Sequence, residues 1–481
     1  MTLGRRFGRR NAASLLTFPQ VFVVCVLVFL GGASSSSQTR PSSPTDTAAR
    51  ALALGKFDEV DSLLRTATDP RSIALRARAE AERGRYAEAE KLLTPAAAAA
   101  PDSDAALELG LLQMRLGRRE SATRILQAVV DRTQASRPAD LLRLALASRA
   151  LGEFQEANGY FRQAAMMAPD DAVINTAWGD LFLEKYNRGE ALKSYQAALK
   201  VDADFLPAQI GLARVALDEN PPAAHAAVEK ALKASAGYVP ALLLSAEMSL
   251  DERNRADARA SIRRALEVNP NGLEARSLEA AIAFLEGRNA DFLAQVQEAL
   301  KINPRYGEIY RVAGDHAARN YLFAEAVELT QRALMLDRDN SRAHAELGVH
   351  LLRTGDEPGA RVQLEAAFKA DPYNAVTFNN LSLLDTLDKF VTIREGDIVL
   401  RLHADEAPVM REHAMPLAKQ ALETLSKRWD FKPAGPILVE MFPKHDDFAV
   451  RTIGLPGFIG ALGACFGKVV TLDSPKARPP G

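Results

Sequence analysis

The residues able to do acid–base, nucleophilic or metal chemistry are few in this chain, and they are scattered. Seven histidines occur: His225, His316, His344, His350, His403, His413 and His445. A zinc hydrolase needs two histidines one helical turn apart, so that both face the ion, and a glutamate to activate the water. None of the seven is followed by glutamate and then by a second histidine at that offset. His344 and His350 are six apart in one helical stretch, which turns them to different faces, and Glu412–His413 reads as a solvated pair. Of the two cysteines, Cys25 lies in an N-terminal apolar run and Cys465 stands alone near the other end. A single thiol makes no internal disulfide, and no base partner is evident, so Cys465 reads as a small packed residue. Gly454, Gly457, Gly460, Gly463 and Gly467 superficially suggest a phosphate loop but lack its strand–GxxxxGK[ST]–helix frame. No catalytic residue, metal ligand or cofactor is expected in the chain.

What recurs instead is a packing pattern. Small residues stand at Ala77, Gly110, Ala145, Gly179, Ala213, Ala246, Ala280, Gly314 and Gly348, with neighbours 33 to 35 apart. A second small residue follows about twelve later (Ala89, Ala122, Ala157, Ala191, Ala258, Ala326, Ala360), and a third seven after that (Ala96, Ala164, Ala198, Ala265, Ala299, Ala333, Ala367). Small side chains let two helices approach. Phe161, Tyr195, Ile262 and Leu364 share a position where a large residue fills the gap between units. Pro101, Pro169, Pro270, Pro304 and Pro372 end second helices. Gly84, Gly117, Gly152, Gly287 and Gly355 fall in the turn between helices. Pro221–Pro222 breaks one turn, and Leu52–Leu64 reads as a degenerate capping repeat.

This register resembles the tetratricopeptide repeat, a helix–turn–helix unit of about 34 residues. The resemblance implies an all-α solenoid of about ten units over 48–385, because no unit can bury its apolar face alone. It also implies that the first helix of each unit lines a concave face. By register the exposed positions there include Leu111, Met114, Leu146, Arg149, Asp180, Leu183, Arg214, Leu217, Glu247, Leu250, Phe284 and Asp315. That is an apolar stripe with charges of both signs, suited to an extended peptide or a helix. The formal net charge of −1 argues against a general nucleic-acid binder.

Residues 1–33 read as a targeting segment. Arg5, Arg6, Arg9 and Arg10 precede a mostly apolar run from Leu15, and Gly31-Gly32-Ala33-Ser34 is small enough for signal peptidase. Cleavage would leave an exported protein; without it, residues 15–33 would anchor the chain in a membrane. Residues 34–47 are a Ser/Pro/Thr-rich linker.

The helical period fades after about Asp385. Phe390–Ile393 and Ile398–Leu402 flank Arg394-Glu-Gly-Asp397 as a hairpin. Glu406–Trp429 reads as a helix with Leu417, Ala421, Leu425 and Trp429 on one face and a kink or restart at Pro416. Ile437–Phe442 and Lys468–Leu472 read as strands. The blocks Phe442–Thr452, Gly454–Gly457, Gly463–Gly467 and Thr471–Pro475 resemble the N-terminal half of the peptidase-MA-like, gluzincin-type metallopeptidase domain, which in exported bacterial proteins commonly adjoins such repeats. The resemblance implies a partial α+β, zincin-like unit over 388–481. It implies that Lys468–Leu472 lies at the edge of a cleft, and that the His-Glu-x-x-His helix would follow Gly481. A half-domain of that kind is expected to leave an apolar sheet face uncovered.

Two functions remain open at this stage. One is an exported scaffold that binds proteins or peptides on its concave face. The other is a fragment of a zinc metallopeptidase whose repeats recruit substrate, with zinc bound only in a longer form. The membrane would be a partner only through an uncleaved N-terminal segment.

Overall fold

The computed structural model describes residues 43–457 and 460–477, so the targeting segment and most of the linker lie outside the described residues. From Pro44 to Ala370 the chain forms ten consecutive helix pairs, the first being Pro44–Ala53 with Phe57–Leu64 and the last Ser341–Thr354 with Glu357–Ala370. A twenty-first helix, Ala375–Leu387, follows. Local chemistry sets the boundaries. The side chains of Ser43, Asp69, Ser103, Asp171, Asn340 and Asn374 cap first helices by accepting from backbone N–H groups of the first turn. Pro221 does not interrupt its unit. It opens the helix Pro221–Ala234, where its missing N–H costs nothing, behind an Asn220 cap.

The small and large positions interlock. Tyr195 and Phe161 are fully buried, and a Cβ built on Gly179 or Gly211 would come within 2.7 or 2.3 Å of the Tyr195 ring. The units on either side of that ring are therefore held at a separation that only glycine permits. Stacking then coils the array so far that it meets itself. The hydroxyl of Tyr86 donates to the carbonyl of Asn271 at 3.0 Å. Asn271 Nδ2 donates to the carbonyl of Gly84 at 2.9 Å, and Asn303 Nδ2 to that of Arg115 at 3.1 Å. Asn374 Nδ2 donates to the Tyr186 hydroxyl at 2.9 Å, and Lys185 Nζ lies 3.3 Å from Asp371. These partners are 185 to 188 residues apart, about five and a half repeats of the sequence period. The turn inside one unit thus rests on the loop after a unit one superhelical turn later. Where that turn lacks glycine, Tyr186 itself takes the left-handed conformation, at φ 62°.

The remaining chain builds one five-stranded sheet: β1 (Phe390–Glu395), β2 (Ile398–His403), β3 (Ile437–Phe442), β4 (Gly463–Phe466) and β5 (Val469–Asp473), in the order β1-β2-β3-β5-β4. The β1–β2 and β4–β5 pairs are antiparallel; β2–β3 and β3–β5 are parallel. Three expectations are corrected here. The strand at Lys468–Leu472 is not an edge: β5 is enclosed by β3 and β4, and the edge on that side is the short strand inside the glycine-rich stretch. Cys465 lies on this edge strand with its side chain exposed rather than packed, because strand alternation turns Ala464 and Phe466 inward. The helix Ala407–Trp429 runs unbroken through Pro416, and Leu417, Leu425 and Trp429 are exposed. It packs on the sheet through Met410, Ala414, Met415, Ala418 and Leu422, against Leu400, Leu402 and Val439.

Nor is the other sheet face bare. Phe442 joins Phe448 and Val450 of the helix His445–Ile453 in one core with Leu347, Leu352, Leu383 and Leu387 of the last repeat helices. At its centre Arg451 Nε donates to Glu440 Oε2 at 2.8 Å with both side chains fully buried, and Arg451 Nη2 donates to the carbonyl of Leu352 at 2.9 Å. Arg401 bridges Glu440 to Glu357 of the tenth helix pair. The solenoid supplies the cover that the sheet lacks by itself.

Candidate functional site

Because the array coils tightly, its first helices enclose a lumen. One cavity of about 650 Å³ is bordered by Arg214, Leu217, Glu247, Arg311, Asp315 and Glu346, among others. A second, of about 730 Å³, is bordered by Arg149, Asp180, Leu183, His350 and Arg353 and shares Arg214, Asp315, Arg342 and Glu346 with the first. Of the expected concave residues, Arg149, Asp180, Leu183, Arg214, Leu217, Glu247 and Asp315 border these two cavities. Leu111 borders a small cavity beside Arg78 and Glu108, and Leu146 one near Phe57 and Tyr238. Met114, Leu250 and Phe284 do not. They pack into the core clusters between helices, and Leu250 is buried. The physical reason is apolar contact with neighbouring side chains, as for Phe284, whose ring centroid lies 5.7 Å from that of Phe292. The wall is therefore more charged than the apolar stripe expected from sequence.

Its charges are mostly organised. Arg311 donates from Nε to Glu308 at 2.7 Å and from Nη1 to Glu346 at 2.6 Å. Arg319 holds Asp315 at 3.0 Å and Asp251 at 2.9 Å. Arg149 holds Glu184 at 2.8 Å, and the Tyr195 hydroxyl donates to Asp180 at 2.7 Å. Burial raises the Asp180 and Glu247 carboxyls above their ordinary values, against the pull of Arg149 and Arg214 on the first and of Arg214 on the second. It pushes Glu346 up to about 7, Arg311 opposing it. Burial and the adjacent Arg353 lower His350 to about 4, which leaves that imidazole neutral near pH 7.

The Glu346 shift has a measurable sign. A carboxyl whose folded value is raised from about 4.5 to about 7 holds its proton in the folded state where the unfolded chain has released it. Stability is then highest at low pH and falls as pH rises through that window. Glu346→Gln should remove this slope. Urea midpoints at about pH 5 and about pH 7.5 check it: the wild type loses stability relative to the variant at the higher pH, and parallel behaviour of the two chains refutes the assignment.

The other histidines do not converge. His225 meets Glu252, His344 meets Gln363, and His445 meets Asp473, each at 2.7 Å on separate surfaces. Among the described residues no group of three or more His, Cys, Asp or Glu is placed to hold a metal ion. Sequence reading missed the loop residues Asn269, Asn303, Asp337 and Asp371, which carry the turn-to-turn contacts. Their signal was present, since they recur 34 apart at the ends of second helices.

Tetratricopeptide-repeat family profiles match residues 80–145, 243–307 and 311–375. The chain contains tetratricopeptide repeats. The segments 243–307 and 311–375 include residues that border the two large cavities, whereas 80–145 borders smaller ones through Glu82 and Arg115. A search of curated proteins found no match. Among solved structures, the repeat array is similar to a chain of the APC/C hetero-tetramer Cut9–Hcn1, at 16% identity and a TM-score of 0.45 over 70% of this chain and 69% of that one. It is similar to yeast Tom70 at 15% identity and a TM-score of 0.37, over 71% of this chain and 88% of the other. A tetratricopeptide repeat protein from Parabacteroides merdae gives 17% identity and a TM-score of 0.37, over 52% of this chain and 98% of its own. Tetratricopeptide repeats generally mediate binding to protein partners, and the lumen is the surface these repeats enclose.

Proposed function

We propose that the protein is an exported scaffold whose superhelical lumen takes up an extended segment of a partner protein. The observation that carries this reading is the continuity of the two large cavities, which share Arg214, Arg342, Asp315 and Glu346. A small-molecule site is a closed concavity with a few convergent polar groups. A run of joined cavities along a superhelix instead suits a chain that presents side chains in series. Turn-to-turn contacts close the wall of the superhelix, so the occupant is a narrow strand of polypeptide rather than a folded domain. Photo-crosslinkers placed at Leu183 and Leu217, which border the cavities, should capture unfolded polypeptide, whereas one at the outward-facing Met166 should not. Equal capture at all three positions would remove the lumen as the binding surface. The alternative, a metallopeptidase whose repeats gather substrate, rests on the resemblance of the C-terminal unit, and a longer form that carries His-Glu-x-x-His and stoichiometric zinc would favour it over the scaffold.

A further inference from the structure

Three guanidiniums of the second lumen cavity form no hydrogen bond or ion pair with its carboxylates. Arg214, Arg342 and Arg353 all border it. Among the described residues none of the three makes an ion pair or hydrogen bond, and Arg353 is held by stacking over Phe323 and Phe466 at 5.7 and 5.5 Å. The carboxylates of the same wall are already taken: Glu184 by Arg149, Asp315 by Arg319, Glu346 by Arg311 and Asp180 by Tyr195. A second observation points the same way. His350 borders this cavity, is only 2% exposed, and has no partner on either ring nitrogen. A buried polar group without a partner is costly unless a ligand or water completes it.

We propose that this cavity binds acidic side chains of the partner segment, each carboxylate seated between the free guanidiniums of Arg214 and Arg342 with His350 donating to it. The inference rests on the scaffold reading above and names what the lumen selects. Guanidinium–carboxylate hydrogen bonds are the strong ones in a partly desolvated site, and a planar fork also fixes direction. The apolar contacts of Leu183, Val349 and Val376 leave room for the uncharged residues between acidic ones. A nucleic acid is disfavoured, because Asp180, Asp315 and Glu346 stand in the same wall and would face its backbone at every step.

The test uses the full chain and fluorescence anisotropy with an unstructured peptide carrying glutamate at alternate positions, its glutamine counterpart, and inorganic phosphate as competitor. The acidic peptide should bind at least about tenfold tighter than the glutamine peptide. Arg214→Gln and Arg342→Gln should each weaken the acidic peptide by about tenfold and the glutamine peptide by much less, so that the ratio between the two peptides collapses. Both side chains are exposed and unpaired, so the fold should survive, which circular dichroism verifies. Displacement of the acidic peptide by phosphate would support a shared oxyanion site. Equal affinity for the two peptides, or full retention of acidic binding by both variants, overturns this inference while leaving the scaffold reading intact. Failure of both peptides to bind overturns both readings.

Discussion

Replacing Arg451 with methionine is expected to lower the local stability of the C-terminal sheet by about 3–5 kcal/mol, the cost of leaving one member of a buried ion pair alone. Glu440 and Arg451 are both fully excluded from water and 2.8 Å apart. Without the guanidinium, Glu440 keeps only Arg401 at 3.4 Å, and the carbonyl of Leu352 loses its side-chain donor and keeps the Gly355 N–H at 3.2 Å. The second loss matters for assembly, since Leu352 belongs to the tenth helix pair and its bond to Arg451 helps dock the sheet on the repeats. Hydrogen exchange over Ile437–Phe442 reads the effect directly. Protection there should fall by about two to nearly four powers of ten, while exchange in the early repeats stays as it was, because repeat stability is set by near neighbours. The double variant Glu440→Leu/Arg451→Met should recover most of the loss, since an apolar pair has no charge to desolvate. Unchanged protection in the single variant would mean that water or a rearranged Arg401 already compensates Glu440.

Gly117→Ala should destabilise the repeats clearly more than Gly152→Ala, although the two glycines hold the same place in their units. Their backbones are alike, at φ +75° and +84°. Each substitution therefore incurs the left-handed penalty of an L residue, about 1–2 kcal/mol. Their surroundings differ. A Cβ at Gly117 would stand 2.1 Å from Asn303 Oδ1, whereas one at Gly152 meets nothing within 4 Å. Asn303 cannot yield cheaply. Its Nδ2 donates to the Arg115 carbonyl and its Oδ1 accepts from the backbone N–H of Arg305 at 2.9 Å. Displacing it forfeits both bonds, at about 0.5–1.5 kcal/mol each. The excess should appear as a lower urea midpoint, and small-angle scattering should show an enlarged radius of gyration for Gly117→Ala alone. Identical behaviour of the two variants would show that the contact between superhelical turns contributes nothing.

That pair of glycines marks the limit of what a repeat pattern discloses. The turn needed glycine at both, and the sequence showed it. Only at Gly117 does a second piece of chain, nearly two hundred residues away, press on the same Cα. The lumen divides along a similar line. Arg149, Asp180, Arg214, Glu247 and Asp315 were identifiable because first-helix positions repeat every 34 residues. His350 was read with His344 as an ordinary helix residue, because nothing local marks a buried histidine that borders a cavity with both ring nitrogens unpartnered. The helix Ala407–Trp429 was read by the regular apolar row Leu417–Leu425–Trp429, which proved to be solvent-facing, while Met410, Ala414, Met415, Ala418 and Leu422 pack on the sheet.

The sequence by itself determined the helix pairs, their turns and the interlocking of glycine with tyrosine. All of these depend on contacts within a unit or to the next one, where residue size and backbone freedom act directly. Tertiary structure alone decided how far the array coils, since small rotations between units add up over more than five repeats and no single residue encodes the sum. From that coiling came the contacts 185 to 188 residues apart, the enclosure of the charged lumen, and the surface of the last repeats on which the sheet could bury the face it could not cover itself.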